Sequence, residues 1–415
     1  MRQANSIIPD ILDDDDDAQL GSGQDSDFAF ANSVPWDSDV DDDNDPVAPH
    51  PALTELTDAQ IAKLSPRTRH RLYPSRSQRK AGRFESHLTT RQLREREKLE
   101  HSHPEIETMW DDLVAVPKIV IERAEQPANI NRTLKSFQLE GLNWMRQQEK
   151  TKWRGGLLGD EMGMGKTIQA VSLIMSDYPA RNPTLVAVPP VALMQWANEI
   201  DDYTNGKLKV LIYHGQNAKV KSLSVKDLRK YDVIMISYPG LESIYRKETK
   251  GWTRGENIIK EDSAIHAIKY HRLILDEAHS IKSRTTGVAK ACFGLKAEFK
   301  WCLSGTPVQN RIGEFFSLLR FLEVKPFANY FCKSCPCSTL HWSVNEDMRC
   351  THCNHRSLDH VSVFNQEILN PLTSDTSSES SRKEAMRKLR LLTDRIMLRR
   401  LKRDYTSSMV SPGNA

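Results

Sequence analysis

The chain has 415 residues, 27% of them charged, a formal net charge of +3, and no apolar run long enough to cross a bilayer. These bounds exclude a membrane-spanning protein and allow two or three domains; without a secretory leader pattern, the seven cysteines read as metal ligands or core residues of an intracellular chain rather than disulfides. The small net charge hides an asymmetry: residues 1–50 hold fourteen Asp against one Arg, a net of −13 that leaves +16 for the rest, the pattern of a nucleic-acid or chromatin protein.

In chain order, residues 1–104 read as a disordered tail, because Asp13–Asp17 and Asp41–Asp43 repel one another and few apolar residues offset the entropy of ordering. Phe28, Phe30, Val34 and Trp36 lie in the acidic tract, a composition suited to folding onto a basic partner; a purely solvating tail accounts for it equally. Between Pro66 and Phe84 the charge reverses with Arg67, Arg69, Arg71, Arg76, Arg79, Lys80 and Arg83, a run suited to nuclear import, to phosphate contacts or to a solvated linker.

Leu134–Met145 is amphipathic, with Leu134, Phe137, Leu142 and Met145 able to share one helix face. Next comes Gly155-Gly-Leu-Leu-Gly-Asp-Glu-Met-Gly-Met-Gly-Lys-Thr-Ile-Gln-Ala-Val-Ser-Leu-Ile174, an apolar run, a glycine-containing turn and a helical pattern through Ile168, Val171, Ile174 and Met175. A strand, a tight loop and a helix N-terminus form an anion site. Gly163 and Gly165 let the backbone curl around phosphate, Lys166 reaches the β- and γ-phosphates, and the Thr167 hydroxyl ligates Mg²⁺. The strict phosphate-loop pattern asks for glycine at position 160, where this chain has Asp160.

Thr184–Val188, Lys209–Tyr213, Asp232–Ser237, Arg272–Leu275 and Lys300–Leu303 have strand composition, and helical stretches between several of them predict a parallel sheet covered on both faces. Asp276 and Glu277 emerge where one such strand ends, at the edge where open α/β sheets bind ligands. There Asp276 is placed to hold Mg²⁺ and Glu277 to orient the attacking water. Further on, Cys332-x₂-Cys335 and Cys350-x₂-Cys353 form two chelating pairs, the ligand count of tetrahedral Zn²⁺, with Cys337 and His355 as spare donors; reduced buried thiols are the alternative. Cys292 and Cys302 stand in apolar settings and read as core residues. Arg382–Arg403 carries ten Lys or Arg against two acids, interleaved with Leu389, Leu392, Ile396 and Leu398, and predicts a basic amphipathic helix.

Taken together, these motifs resemble the Swi/Snf group of superfamily-two ATPases, translocases on double-stranded DNA, over roughly residues 130–330 and again near 390–404. The resemblance accounts for Asp160, since Asp160-Glu161-Met162-Gly163-Met164-Gly165-Lys166-Thr167 is that group's form of the phosphate loop. It places Gln138 at the adenine-sensing position, Pro189–Trp196 at a DNA-strand contact, Tyr231–Tyr238 at a further motif, and Leu303–Asn310 at the coupling of hydrolysis to DNA movement. Pro326–Cys337 and Met348–His355 resemble the cysteine-rich insert of the RING-containing ATPases of global-genome nucleotide excision repair. Ile396–Lys402 resembles the segment leading to a second RecA-like lobe, away from the nucleotide, and the resemblance implies that this lobe and its arginine finger are missing from the 415 residues.

The expected architecture is α/β. It consists of a tail over 1–104, a RecA-like lobe with a parallel sheet and flanking helices over 105–330, a zinc-ribbon-like insertion over 331–360, and a basic helix over 361–415. The expected function is that of an ATP-, Mg²⁺- and Zn²⁺-binding, DNA-dependent ATPase of nucleotide excision repair or chromatin remodelling. It would be nuclear, with double-stranded DNA or chromatin, a damage-recognition protein and a basic ligand of the acidic tail as partners. A non-catalytic nucleotide-, zinc- and DNA-binding fragment is the first alternative; an RNA helicase, suggested by Asp276-Glu-Ala-His279, is the second.

Overall fold

Short runs rich in Val, Ile and Leu become neighbours in one seven-stranded sheet. The computed structural model describes residues 90–214, 217–254, 257–281, 283–306, 312–374 and 377–405. The acidic tract, the basic run at 66–84, Pro307–Asn310 and the polar end after Tyr405 lie outside them.

In chain order the elements are α1 (Thr90–Ser102), α2 (Glu105–Ala115), α3 (Ser136–Glu149), β1 (Gly155–Leu158), α4 (Lys166–Met175), β2 (Thr184–Val188), α5 (Leu193–Thr204), β3 (Val210–Ile212), β4 (Val233–Ser237) and α6 (Tyr238–Thr249). An antiparallel hairpin, β5 (Trp252–Arg254) and β6 (Asn257–Ile259), precedes β7 (Lys269–Leu275), α7 (Gly287–Phe293), β8 (Lys296–Leu303) and α8 (Ile312–Phe321). The chain goes on through β9 (Tyr330–Cys332), β10 (Ser338–Thr339), β11 (His360–Ser362), α9 (Glu379–Ile396) and β12 (Met397–Leu398), with one-turn helices between.

The main sheet runs β12-β1-β8-β7-β2-β4-β3, and every pairing in it is parallel. Successive side chains on a strand point to opposite faces, so both faces must be covered. Leu185, Ala187, Leu273 and Leu275 join one core with α6, α7, α8 and α9; Val186, Val188 and Ile274 join the other with α3, α4 and α5. Each large apolar side chain buried this way contributes roughly 1.5–3 kcal/mol. Leu134, Phe137, Leu142 and Met145 are all buried, as their spacing predicts. Cys292 and Cys302 are fully buried core residues, and burial pushes both thiols' pKa values upward.

Two expectations need correcting. Residues 90–102 are helical rather than part of a disordered tail. Arg96 and Glu100 pair one turn apart at 2.6 Å, and α1 buries Leu99 against the core. So charged a segment reads as solvated in isolation; a single apolar face and distant ion pairs order it. Nor does the basic helix expected over 382–403 run on past Ile396; only Lys402–Tyr405 form a further single 3-10 turn. Met397 and Leu398 pair with Leu157 and Leu158 as the edge strand β12, which feeds the chain alongside the phosphate loop.

The second small sheet, β10-β9-β11, is antiparallel and carries the cysteine-rich segment. Helix α1 and the residue after it brace this segment: Ser102 Oγ donates to the Lys333 carbonyl at 3.0 Å, a His103 ring nitrogen lies 2.8 Å from the Cys332 carbonyl, and Lys333 pairs with Glu95 at 2.6 Å.

Candidate nucleotide and metal sites

Because β1, β8 and β7 are adjacent and parallel, the loops leaving their carboxyl ends converge. The loop after β1 is 159–165, the one after β8 begins at Ser304-Gly305, and Asp276-Glu277 follow β7. Gly165 caps α4 at φ 75° and ψ 48°, a left-handed conformation that an L side chain adopts only under strain; a Cβ there would also come within 2.5 Å of Gln138 Nε2. At Gly305 a Cβ would lie 2.7 Å from Met162 Cγ and 3.7 Å from Lys166 Nζ, so that loop closes directly over the phosphate loop.

The Lys166 amine donates to the Asp160 carbonyl at 3.1 Å, inside the curl that its charge is suited to fill with phosphate. Thr167, at the first turn of α4, has no hydrogen-bond partner for its hydroxyl among the described residues. Gln138 is engaged at both ends: Oε1 accepts from the Lys135 amide at 2.9 Å and Nε2 donates to the Met164 carbonyl at 3.3 Å. Glu161 accepts the Lys402 amide at 2.7 Å, and Met162 is exposed at the rim.

Asp276 accepts a 2.7 Å hydrogen bond from the Trp196 indole, while the Tyr238 hydroxyl donates to the Asp276 carbonyl at 2.6 Å. Burial pushes the Asp276 carboxyl above its usual pKa; the Trp196 bond opposes this and the neighbouring Glu277 charge adds to it. A carboxylate disfavoured in this way gains by meeting a cation, so a hydroxyl at Thr167 and a buried acid at Asp276 fit Mg²⁺. Glu277 sits at φ 45°, a strained backbone that fixes where its carboxylate points, with Oε2 3.3 Å from His279 Nδ1.

Three functional contacts escaped the sequence. Trp196 ends the motif read as a DNA contact, yet it is buried and holds Asp276; Val191 and Met194 are the motif's exposed apolar residues. Tyr238 braces the same acid from β4's end. The third contact is Arg400. Its guanidinium, only 5% exposed, donates to Asp160 at 3.0 and 2.5 Å, to Gln169 Oε1 at 3.1 Å and to the Phe137 carbonyl. The Asp160 carboxylate therefore faces the protein and holds the loop from behind instead of facing a ligand. The Glu161 amide also donates to the Arg400 carbonyl at 3.1 Å. Thus the segment expected to lead away from the nucleotide runs along the phosphate loop, because β12 pairs with the strand that enters it. Nothing short of that pairing brings the two together.

The cysteine-rich segment departs from the expected ligand quartet. Cys332, Cys335, Cys353 and His355 bring their donor atoms within 4.8 Å of one another, and Cys337, Cys350, Cys353 and His360 do the same. Cys350 thus groups with Cys337 and His360 rather than with Cys332 and Cys335, and His360 was not anticipated. Its signal was a histidine seven residues past Cys353, easily passed over because it lies outside the Cys-x₂-Cys pairs.

A parallel sheet with a phosphate loop at its carboxyl edge defines a nucleotide-binding RecA-like lobe. Residues 137–334 match the family model of the SNF2-related domain. The chain is 42% identical over 315 residues to the ATP-dependent helicase rhp16 of Schizosaccharomyces pombe, covering 76% of this chain and 36% of that protein. It is 36% identical over 205 residues to the DNA repair protein rad5 of Emericella nidulans, covering 42% and 16% respectively. It therefore spans about a third or less of the relatives' lengths. The SWI2/SNF2 ATPase core domain of Sulfolobus solfataricus shares the fold at a TM-score of 0.50 and 21% identity, over 71% of this chain and 50% of that one.

Proposed function

We propose that the chain binds ATP with Mg²⁺ at the carboxyl edge of its sheet and forms the nucleotide-binding lobe of a nuclear DNA-dependent ATPase acting in DNA repair, nucleotide excision repair in particular. The observation that carries this is the convergence of Lys166, Asp276, Glu277 and Gly305 from three adjacent strands. Lys166 and the amides of residues 163–167 cradle the phosphates, and Gln138 flanks the loop where an adenine edge would be read. Thr167 and Asp276 would hold Mg²⁺, which when bound offsets phosphate charge. Glu277 accepts a hydrogen bond from the attacking water and orients it. Val191 and Met194, beside Gln195 at the start of α5, and the basic residues of α9 form the surfaces offered to DNA. The cysteine-rich segment holds zinc. The names and similarity of the relatives support the repair reading.

Turnover by residues 1–415 alone should be slow. In phosphoryl transfer an arginine aimed at the γ-phosphate is worth roughly 10³–10⁵ in rate. Arg400, beside the loop, is committed to Asp160 and Gln169. Calorimetric titration should show ATP–Mg²⁺ binding that Lys166→Ala abolishes; unchanged affinity in that variant would remove the nucleotide site. Phosphate release with and without plasmid DNA, with Glu277→Gln as the blank, should stay near background. Robust Glu277-dependent turnover would overturn the slow-turnover claim, and stimulation by RNA but not duplex DNA would overturn the DNA assignment.

A further inference from the structure

Seven of the nine Cys and His residues in 332–360 form two groups of four, because Cys353 belongs to both. Four is the coordination number of structural Zn²⁺. At a Zn–S distance of about 2.3 Å, sulfurs on one tetrahedron lie about 3.8 Å apart, inside the 4.8 Å that bounds each group. We propose that this segment holds two Zn²⁺ ions bridged by the Cys353 thiolate, one completed by Cys332, Cys335 and His355, the other by Cys337, Cys350 and His360. The proposal rests on the zinc-binding reading above and adds number and connectivity.

Ring geometry supports it first. One His360 nitrogen, Nδ1, lies 3.1 Å from the Arg356 carbonyl, while Nε2 lies 3.3 Å from Cys353 Sγ. Donation from Nδ1 to the carbonyl fixes the tautomer whose Nε2 lone pair is available to a metal, the usual arrangement behind a ligating histidine. In the other group His355 Nδ1 lies 3.5 Å from Cys332 Sγ. The backbone supports it too. The His352 amide donates to Cys350 Sγ at 3.4 Å, and the amides of Ser334 and His355 face the sulfurs of Cys332 and Cys353, as in chelating turns that stabilise thiolates.

Packing points the same way. Between residues 333 and 359 only Cys350 and Ser357 are buried, Leu340 and Trp342 are the large apolar side chains that pack partly against the core, and the sheet beside them has strands of three, two and three residues. So little apolar burial cannot order a segment of this length, and metal cross-links are what small folds use in its place.

The test uses the 415-residue chain, purified under reducing conditions and loaded with zinc alone. Elemental analysis should give two Zn²⁺ per chain, falling to one in His360→Ala. Exchange of the wild-type protein into ¹¹³Cd should give two resonances, each split by the other through the shared sulfur, a readout that depends on no variant folding. One ion per chain, unaffected by His360→Ala, would overturn the bridged pair and leave a single zinc site. Two resonances without mutual splitting would overturn the bridge. A metal-free, well-folded chain would sink the zinc reading itself.

Discussion

Around the phosphate loop, shape comes from the protein alone. Strands β1, β8 and β7 are fully paired, apolar layers cover both faces, and Arg400 locks Asp160 and Gln169 beneath the curl. Between residues 333 and 359 the opposite holds: little apolar burial, a single two-residue strand and a concentration of thiols and imidazoles. The first region is built before any ligand arrives, whereas the second would be completed by the zinc proposed for it. A site that must bind and release nucleotide repeatedly benefits from preorganisation, while a segment that only has to hold its shape can be ordered by the ion it keeps.

Metal removal should break this contrast most visibly. Structural zinc contributes on the order of 10 kcal/mol or more to small metal-dependent folds. A strong chelator should strip amide-exchange protection from residues 333–359 and leave β1, β2, β7 and β8 protected. Equal loss in both regions would show that the sheet depends on the metal after all.

Next in size is Arg400→Ala, which leaves the Asp160 carboxylate buried without its cation. Breaking such a pair costs about 3–5 kcal/mol. The urea midpoint should drop accordingly and nucleotide affinity should weaken with it. By contrast Lys166→Ala should abolish ATP binding and move stability by no more than about 0.5 kcal/mol. If the two variants behave alike in both assays, Arg400 is not the loop's support.

The smallest effect is one of pH, at the seam joining α1, α2 and α9. Glu367 accepts from the Trp110 indole and Lys388, each at 2.7 Å, and pairs with Arg96. Burial alone would raise its carboxyl pKa, but Arg96 and Lys388 outweigh burial and hold it at about 2 against an ordinary 4.5. A depressed folded-state pKa gives stability that is fully present above about pH 4.5 and lost as pH falls towards 2, here roughly 3 kcal/mol. Acid titration of the unfolding free energy should show this slope, and Glu367→Gln should flatten it. A wild-type profile already flat below pH 4.5 would rule out the assignment.

Much of this protein is written locally in its sequence. Gly163-Met-Gly-Lys-Thr167 before a helical pattern, Asp276-Glu277 after an apolar run, and the strand at Thr184–Val188 are all read within a dozen residues. Backbone periodicity and the conformational freedom of glycine act over that range. What tertiary structure alone decided are the long pairings: Arg400 with Asp160 across 240 residues, Trp196 with Asp276 across 80, the order of α1, and the division of seven donors into two groups sharing Cys353. Each depends on which strand lies beside which, or on how a loop doubles back. An arginine in a basic stretch looks the same on paper whether it faces water or a buried carboxylate. Only the pairing of β12 with β1 places Arg400 against Asp160, and only that contact gives the departure from glycine at position 160 its physical reason.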